Sequence, residues 1–264
     1  MSALLRFELL KLMRQPATLF WGFLSVPLLA LLFRLVLEGM VFVRAGRIVT
    51  GNTDLLQSAT NILTLSGNSV GHLLYAIGIS SIFFSEYRFA TWRHLIPRRS
   101  RLQLWTAKCL ACLVCLAAGL LVAVIGDMIL NSALALLSGD GPSSLSIRIA
   151  GLPALLAAFA AALLELAVLT AIVSTITILS RAMVAAVIPA FLLAIGTSML
   201  QIYVGPTKDV LPLPSTGAEA LRTWLFQQGP ADAGDSGGAI LLVWLIAAGG
   251  LGLFLFSRQQ LSAE

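Results

Sequence analysis

Apolar residues run along this chain in six long stretches, about 17–37, 58–84, 104–130, 151–179, 182–203 and 238–256, with short polar connections between them. Runs of roughly twenty apolar residues are long enough to cross a bilayer as helices. Backbone groups in hydrocarbon must be satisfied within the segment, and the alternation expected of barrel strands is absent. The pattern therefore predicts an all-α membrane protein, a single six-helix bundle over residues 1–264. Composition agrees: 11% of residues are charged, against roughly a quarter in soluble domains. No stretch is left over for a soluble catalytic domain.

The largest polar interruption is Glu86–Lys108, EYRFATWRHLIPRRSRLQLWTAK, which holds six of the seventeen Lys and Arg. Short Lys/Arg-rich connections stay on the cytoplasmic side of a membrane, and an even number of spans brings both termini to that side too. Eleven Lys and Arg are then cytoplasmic and six lie in the outer half, so the net charge of +5 is a topology signal and not a nucleic-acid one. Phe89, Trp92 and Leu95/Ile96 recur at helical spacing, away from Arg88, Arg93 and His94, so a short helix here has an apolar face to bury. A basic segment resting on the membrane surface accounts for the same residues. Residues 2–14 intersperse Arg6, Glu8, Lys11 and Arg14 among leucines, which suits an interfacial helix, or a plain charged flank, before the chain turns inward at Pro16.

In the basic loop Glu86 is followed by Thr91, Leu95, Pro97, Ser100 and Arg101, and Lys108 opens the next span. This order resembles the first cytoplasmic loop of ABC-2 type transporter permeases, with Ala90 where that family usually has Gly and Pro97 closer to Thr91 than usual. Glu8, Lys11, Arg14 and Pro16 resemble the family's amino-terminal elbow. The resemblance implies a coupling helix, formed by Glu86, Arg88, Phe89, Thr91, Trp92, Pro97, Ser100 and Arg101, that docks on an ATP-binding subunit with Trp92 as anchor. It further implies two such ATPase subunits carrying ATP and Mg, a second permease copy or paralogue, no cofactor on this chain, and a place in a prokaryotic cytoplasmic (inner) membrane. Compact permeases of this family export drugs, lipids and lantibiotic-like peptides.

Within the second stretch, Asn61, Thr64, Asn68, His72 and Tyr75 fall within about an 80° arc at 100° per residue, one polar stripe on a continuous helix. Such a stripe faces the bundle interior, either joining helices or lining a path. Gly67 and Gly71 form a small-xxx-small pair that lets another helix approach. Cys109, Cys112 and Cys115 suggest a metal cluster by spacing. Three thiols inside an apolar helix fall short of the four ligands a cluster needs and read better as small buried hydrophobes. Glu165 stands at the centre of the fourth span. His72 lies fourteen residues beyond Ser58 and Glu165 fourteen beyond Gly151, so at 1.5 Å per residue both sit roughly 21 Å along their helices. The two should meet, with His72 as the one ionisable candidate at that depth.

Ser180 and Arg181 alone separate the fourth and fifth spans, which makes these an antiparallel hairpin with a tight turn. Between the last two spans, Thr216 and Glu219 form a capping box and Leu221, Trp224 and Leu225 follow at helical spacing. A short external amphipathic helix resting on the membrane interface is expected there, followed by a flexible connector over Gly229–Gly238. No phosphate loop, H-E-x-x-H or G-x-S-x-G is present, so the chain has no visible chemistry of its own and any ATP hydrolysis belongs to a partner. The alternative is an ion- or proton-coupled secondary carrier that uses Glu165.

Overall fold

The computed structural model describes residues 2–45, 53–89, 91–92, 100–137, 145–204, 212–227 and 231–259. These are almost entirely helical: α1 Ser2–Met13, α2 Pro16–Leu19, α3 Ser25–Ala45, α4 Leu55–Ile62, α5 Ser69–Arg88, α6 Arg101–Leu137, α7 Leu152–Ser180, α8 Met183–Val204, α9 Pro214–Gln227 and α10 Ala231–Arg258. Thr53–Asp54 and Leu145–Ser146 add one two-residue parallel pairing between connections. Five stretches of the described residues are long and apolar enough to cross a membrane: Pro16–Arg44, Arg101–Leu137, Ile149–Ser180, Met183–Leu200 and Gly234–Arg258. The chain is an all-α, multi-pass membrane protein.

The second apolar stretch is not one continuous helix. It divides into α4, a 3-10 turn over Leu63–Gly67, and α5. Asn68 is the reason: its backbone is extended (φ −68, ψ 134) and its side chain accepts from the Val70 N–H at 3.1 Å, so it caps a new helix. Asn is among the residues that best satisfy a helix's orphan N–H groups from outside it. The polar stripe is therefore broken up. Asn61 and Thr64 are exposed, Asn68 is a cap, and only His72 and Tyr75 are buried in the bundle.

The first pass also contains a local irregularity. A π turn over Phe20–Leu24 joins α2 to α3, with the Ser25 N–H bonding back to the Phe20 carbonyl. Pro27 follows and has no N–H to offer the Phe23 carbonyl, four residues back. Gly119 of α6 lies against that carbonyl oxygen, 2.9 Å from where a Cβ would stand. Close backbone packing occurs between Gly22 and Gly78, where a Cβ on either would meet the other's backbone, while Gly67 of the pair suggested by sequence lies against the Arg222 side chain.

The tight turn between α7 and α8 forms as expected, with Arg181 in the left-handed region (φ 54) and its N–H on the Thr177 carbonyl at 2.8 Å. Ser174, Thr175 and Thr177 bond carbonyls of their own helix. Thr175 also reaches the Ala248 carbonyl at 2.8 Å, tying α7 to α10.

Two expectations for the segment before the last pass are overturned. The capping box does not form: α9 begins at Pro214, which suits the first helical position, and the Thr216 hydroxyl donates to the Leu213 carbonyl from inside the first turn. Nor is the stretch behind α9 a flexible connector, since it is helical from Ala231. α9 itself packs against α7 and α10, where Ala218 is buried with Val168 and Leu241. The glycines there serve packing. Gly237 faces the Gly217 carbonyl and the Leu221 N–H, and Gly234 faces the Trp224 ring. Side chains at these positions would push the two helices apart.

Gly78→Ala tests the backbone contact. Replacing a helical Gly with Ala gains roughly 0.5–1 kcal/mol of helix stability, but overpacking a tight contact costs about 1–3 kcal/mol. The contacted atoms are backbone, so the second effect should win and the thermal midpoint in detergent should fall. Gly39→Ala, at a position with nothing within 4 Å of the added methyl, should leave it unchanged or raise it.

Candidate functional site

At the end of the bundle where α1, the end of α5 and the start of α6 converge, four charged side chains form one knot around Lys108. Lys108 is fully buried on α6 and bonds Glu8 of α1 at 2.9 Å and Glu86 of α5 at 2.6 Å. Lys11, one turn beyond Glu8, reaches the same Glu86 oxygen at 2.5 Å. The Thr91 hydroxyl donates to the other Glu86 oxygen, and the Thr91 N–H bonds the Glu86 carbonyl at 3.1 Å. Two acids thus meet two bases. Taking such groups out of water costs several kcal/mol per ion unless each finds a partner.

Trp92 seals the knot. It is 2% exposed, its ring lies 4.7 Å from that of Phe256 on α10, and the Lys108 ammonium stands 5.4 Å from its centroid. Trp92 is therefore committed inside this chain and is not available as a docking anchor, a correction to the sequence reading. Phe89, 66% exposed, is the aromatic residue facing outward, with the Arg88 guanidinium over its ring. Ser100 accepts from the Gln103 N–H at 3.4 Å in the first turn of α6. Arg101 donates to the carbonyls of Phe256, Ser257 and Gln259 at 2.7–2.9 Å, placing a cation where a helix's last carbonyls favour one. Arg14 and Pro16 are exposed beside the α1–α2 turn. Pro97 lies outside the described residues.

A second cluster lies in mid-bundle. His72 Nε2 is 3.4 Å from Glu165 Oε1, so the pair expected from depth does meet. His72 is not the sole partner. Arg222 of α9 makes an ion pair and hydrogen bond with the other Glu165 oxygen. A sequence reading that places α9 on the interface cannot anticipate this. The guanidinium lies against Gly67 at the break between α4 and α5, where any side chain would collide with it. Insertion scales put an unpaired carboxylate at roughly 2.5–3.5 kcal/mol in mid-membrane, which Arg222 and His72 offset. Beside them is a cavity of about 30 Å³ walled by Val168, Leu169, Leu193 and Ala194 and bordered by Ser215. One water needs about 10–15 Å³.

A third cluster was not recognised from sequence at all. Arg34 of α3 pairs with Asp127 of α6 and donates to Ser58 of α4 at 3.0 Å and to Asn131 at 2.7 Å. Ser58 in turn donates to Asp127 at 2.8 Å. The signal was present: one Arg and one Asp, each inside an apolar run. Cys109, Cys112 and Cys115 are free thiols, and among the described residues no group of His, Cys, Asp and Glu is arranged to hold a metal.

Comparison of the chain with protein-family models, with curated proteins and with solved structures gives no match. The functional argument therefore rests on the residues themselves.

Lys108→Met should be among the most damaging single changes in the chain, because it takes the buried cation from Glu8 and leaves Glu86 with Lys11 alone. Removing one partner of a buried pair typically costs about 3–5 kcal/mol. Folded yield and thermal midpoint in detergent should drop sharply for Lys108→Met and recover in part when Glu8→Gln and Glu86→Gln are added. A triple variant no better than Lys108→Met would mean that the loss comes from packing and not from charge.

Proposed function

We propose that this chain is the transmembrane permease subunit of an ATP-driven exporter of the ABC-2 type, working with a second permease and two ATP-binding subunits in a prokaryotic inner membrane. The supporting observation is the convergence on Lys108. Glu8 and Lys11 belong to one stretch that resembles the family, and Glu86 and Thr91 to another, yet all four meet in one buried knot. An element that passes force from an ATPase to membrane helices has to be fixed to those helices. Here the end of α5 is joined to α1 and α6 by charge, while Arg88 and Phe89 stay outside it.

In this reading there are six passes. Pro16–Ala45 makes the first, α4 and α5 together make the second, and α6, α7, α8 and α10 make the rest, with α9 entering from the far side. Both termini and the Lys108 knot then face the cytoplasm, in keeping with the excess of Lys and Arg there. Docking falls to Phe89 and Arg88, with Trp92 fixing their position from behind.

The broken second pass favours one other reading. A discontinuous helix beside a buried carboxylate is the arrangement that secondary carriers use for coupling ions, so a carrier working through Glu165 is the alternative. Co-expression with ATPases encoded beside this gene separates the two. An ATPase should co-purify with the wild-type chain in mild detergent, and Phe89→Ala with Arg88→Ala should weaken its capture roughly thirtyfold, the equivalent of about 2 kcal/mol, at an unchanged thermal midpoint. Failure of every such ATPase to co-purify, with transport driven by an ion gradient instead, would reject the exporter in favour of the carrier.

A further inference from the structure

We propose that the seat Arg222 occupies on Glu165 is a cation site for cargo, one that takes a guanidinium or small alkylammonium group. Its biological role rests on the exporter reading, but its chemistry does not. Glu165 and His72 come from α7 and α5, the helices that form the seat, whereas Arg222 comes from the α9–α10 hairpin, which enters from the end opposite the Lys108 knot. The cation is thus delivered by the helix that closes the seat, since Pro214 and Ser215 of α9 also border the adjoining cavity.

The surroundings define what could replace it. Gly67 leaves the space the guanidinium fills, since any side chain there would collide with it. The adjoining cavity has one carboxylate, from Glu165, and is otherwise walled largely by apolar side chains including Val168, Leu169, Leu193 and Ala194. At about 30 Å³ the cavity has room for little beyond a small head group, so what the site selects is the positive charge. An anion would meet Glu165, and a neutral polar solute would leave the carboxylate without a counter-charge in a place where that is costly. Arg222 is then a tethered stand-in that neutralises Glu165 between cargo molecules and holds α9 in the bundle.

The test is chemical rescue of the purified full-length chain. Arg222→Ala should lower the thermal midpoint by several degrees. Methylguanidinium chloride, added at millimolar concentration against sodium chloride at equal ionic strength, should return at least half of that loss and do so saturably. In the Arg222→Ala, Glu165→Gln double variant it should return none. An equal response in both variants, or no response in Arg222→Ala, overturns the proposal.

If Arg222→Ala does not fold, the wild-type chain serves. Methylguanidinium should change the fluorescence contributed by Trp224, identified as the part lost in Trp224→Phe, whereas acetamide and methanesulfonate should not. Identical responses to all three compounds overturn the site. A cation-specific response from a chain that captures no ATPase would support the site and remove the exporter role, so the two readings fail separately.

Discussion

A charge held away from water has to find an opposite charge, and in this molecule that requirement decides which segments are neighbours. Lys108 is fully buried yet donates to carboxylates from two other elements. Arg34 and Asp127 do the same for α3 and α6, and Arg222 and Glu165 for α9 and α7. Apolar surface cannot provide this selectivity inside a bilayer, where one leucine face suits another as well as it suits lipid. Buried pairs of this kind add little net stability relative to well-packed apolar residues. Here their part is to make wrong arrangements costly, because a mispaired bundle would strand a full charge.

Between the charged contacts, helix approach depends on missing side chains. The first pass crosses α5 at Gly22 and Gly78, and α9 meets α10 at Gly217, Gly234 and Gly237. The glycine-rich run before the last pass looks like a linker by composition alone. It is helical because absent side chains let α9 lie against it, and that contact is what carries Arg222 inward. A residue type usually taken as a sign of flexibility here fixes a position.

The helical class and most of the spans were legible from hydropathy, because each long apolar run has one stable solution in a membrane. The meeting of Glu165 and His72 agrees with the depth count, although the stretch from Ser58 to His72 is interrupted by a 3-10 turn and the extended Asn68 and so lacks the constant rise that the count assumes. Three features were not legible. The break at Asn68 depends on a capping geometry that competes with a continuous apolar pattern, and hydropathy does not weigh that competition. Trp92 looked like an outward anchor because a helical wheel shows which residues share a face but not what covers them. Arg34, Asp127 and Arg222 each stand within or beside their own apolar stretch, whereas their importance is pairwise and spans up to about a hundred residues of sequence. Pairing between distant positions is what a single sequence conceals best.

The break at Asn68 also gives α5 a particular place in the bundle. Fourteen residues separate His72 from Glu86, or about 21 Å of helix, so one straight element has the Glu165 cluster at one end and the Lys108 knot at the other. A continuous second pass would extend past the Glu165 level and be held along its whole length. Capped at Asn68, α5 begins its own run of backbone hydrogen bonds and carries a charged cluster near each end, with Tyr75, Ile79 and Phe83 buried in the core between them. Such a rod can shift or tilt only by disturbing both clusters at once. In the exporter reading, α5 is thus the one helix that joins the level of the mid-bundle carboxylate, at His72, to the exposed Arg88 and Phe89 beyond Glu86.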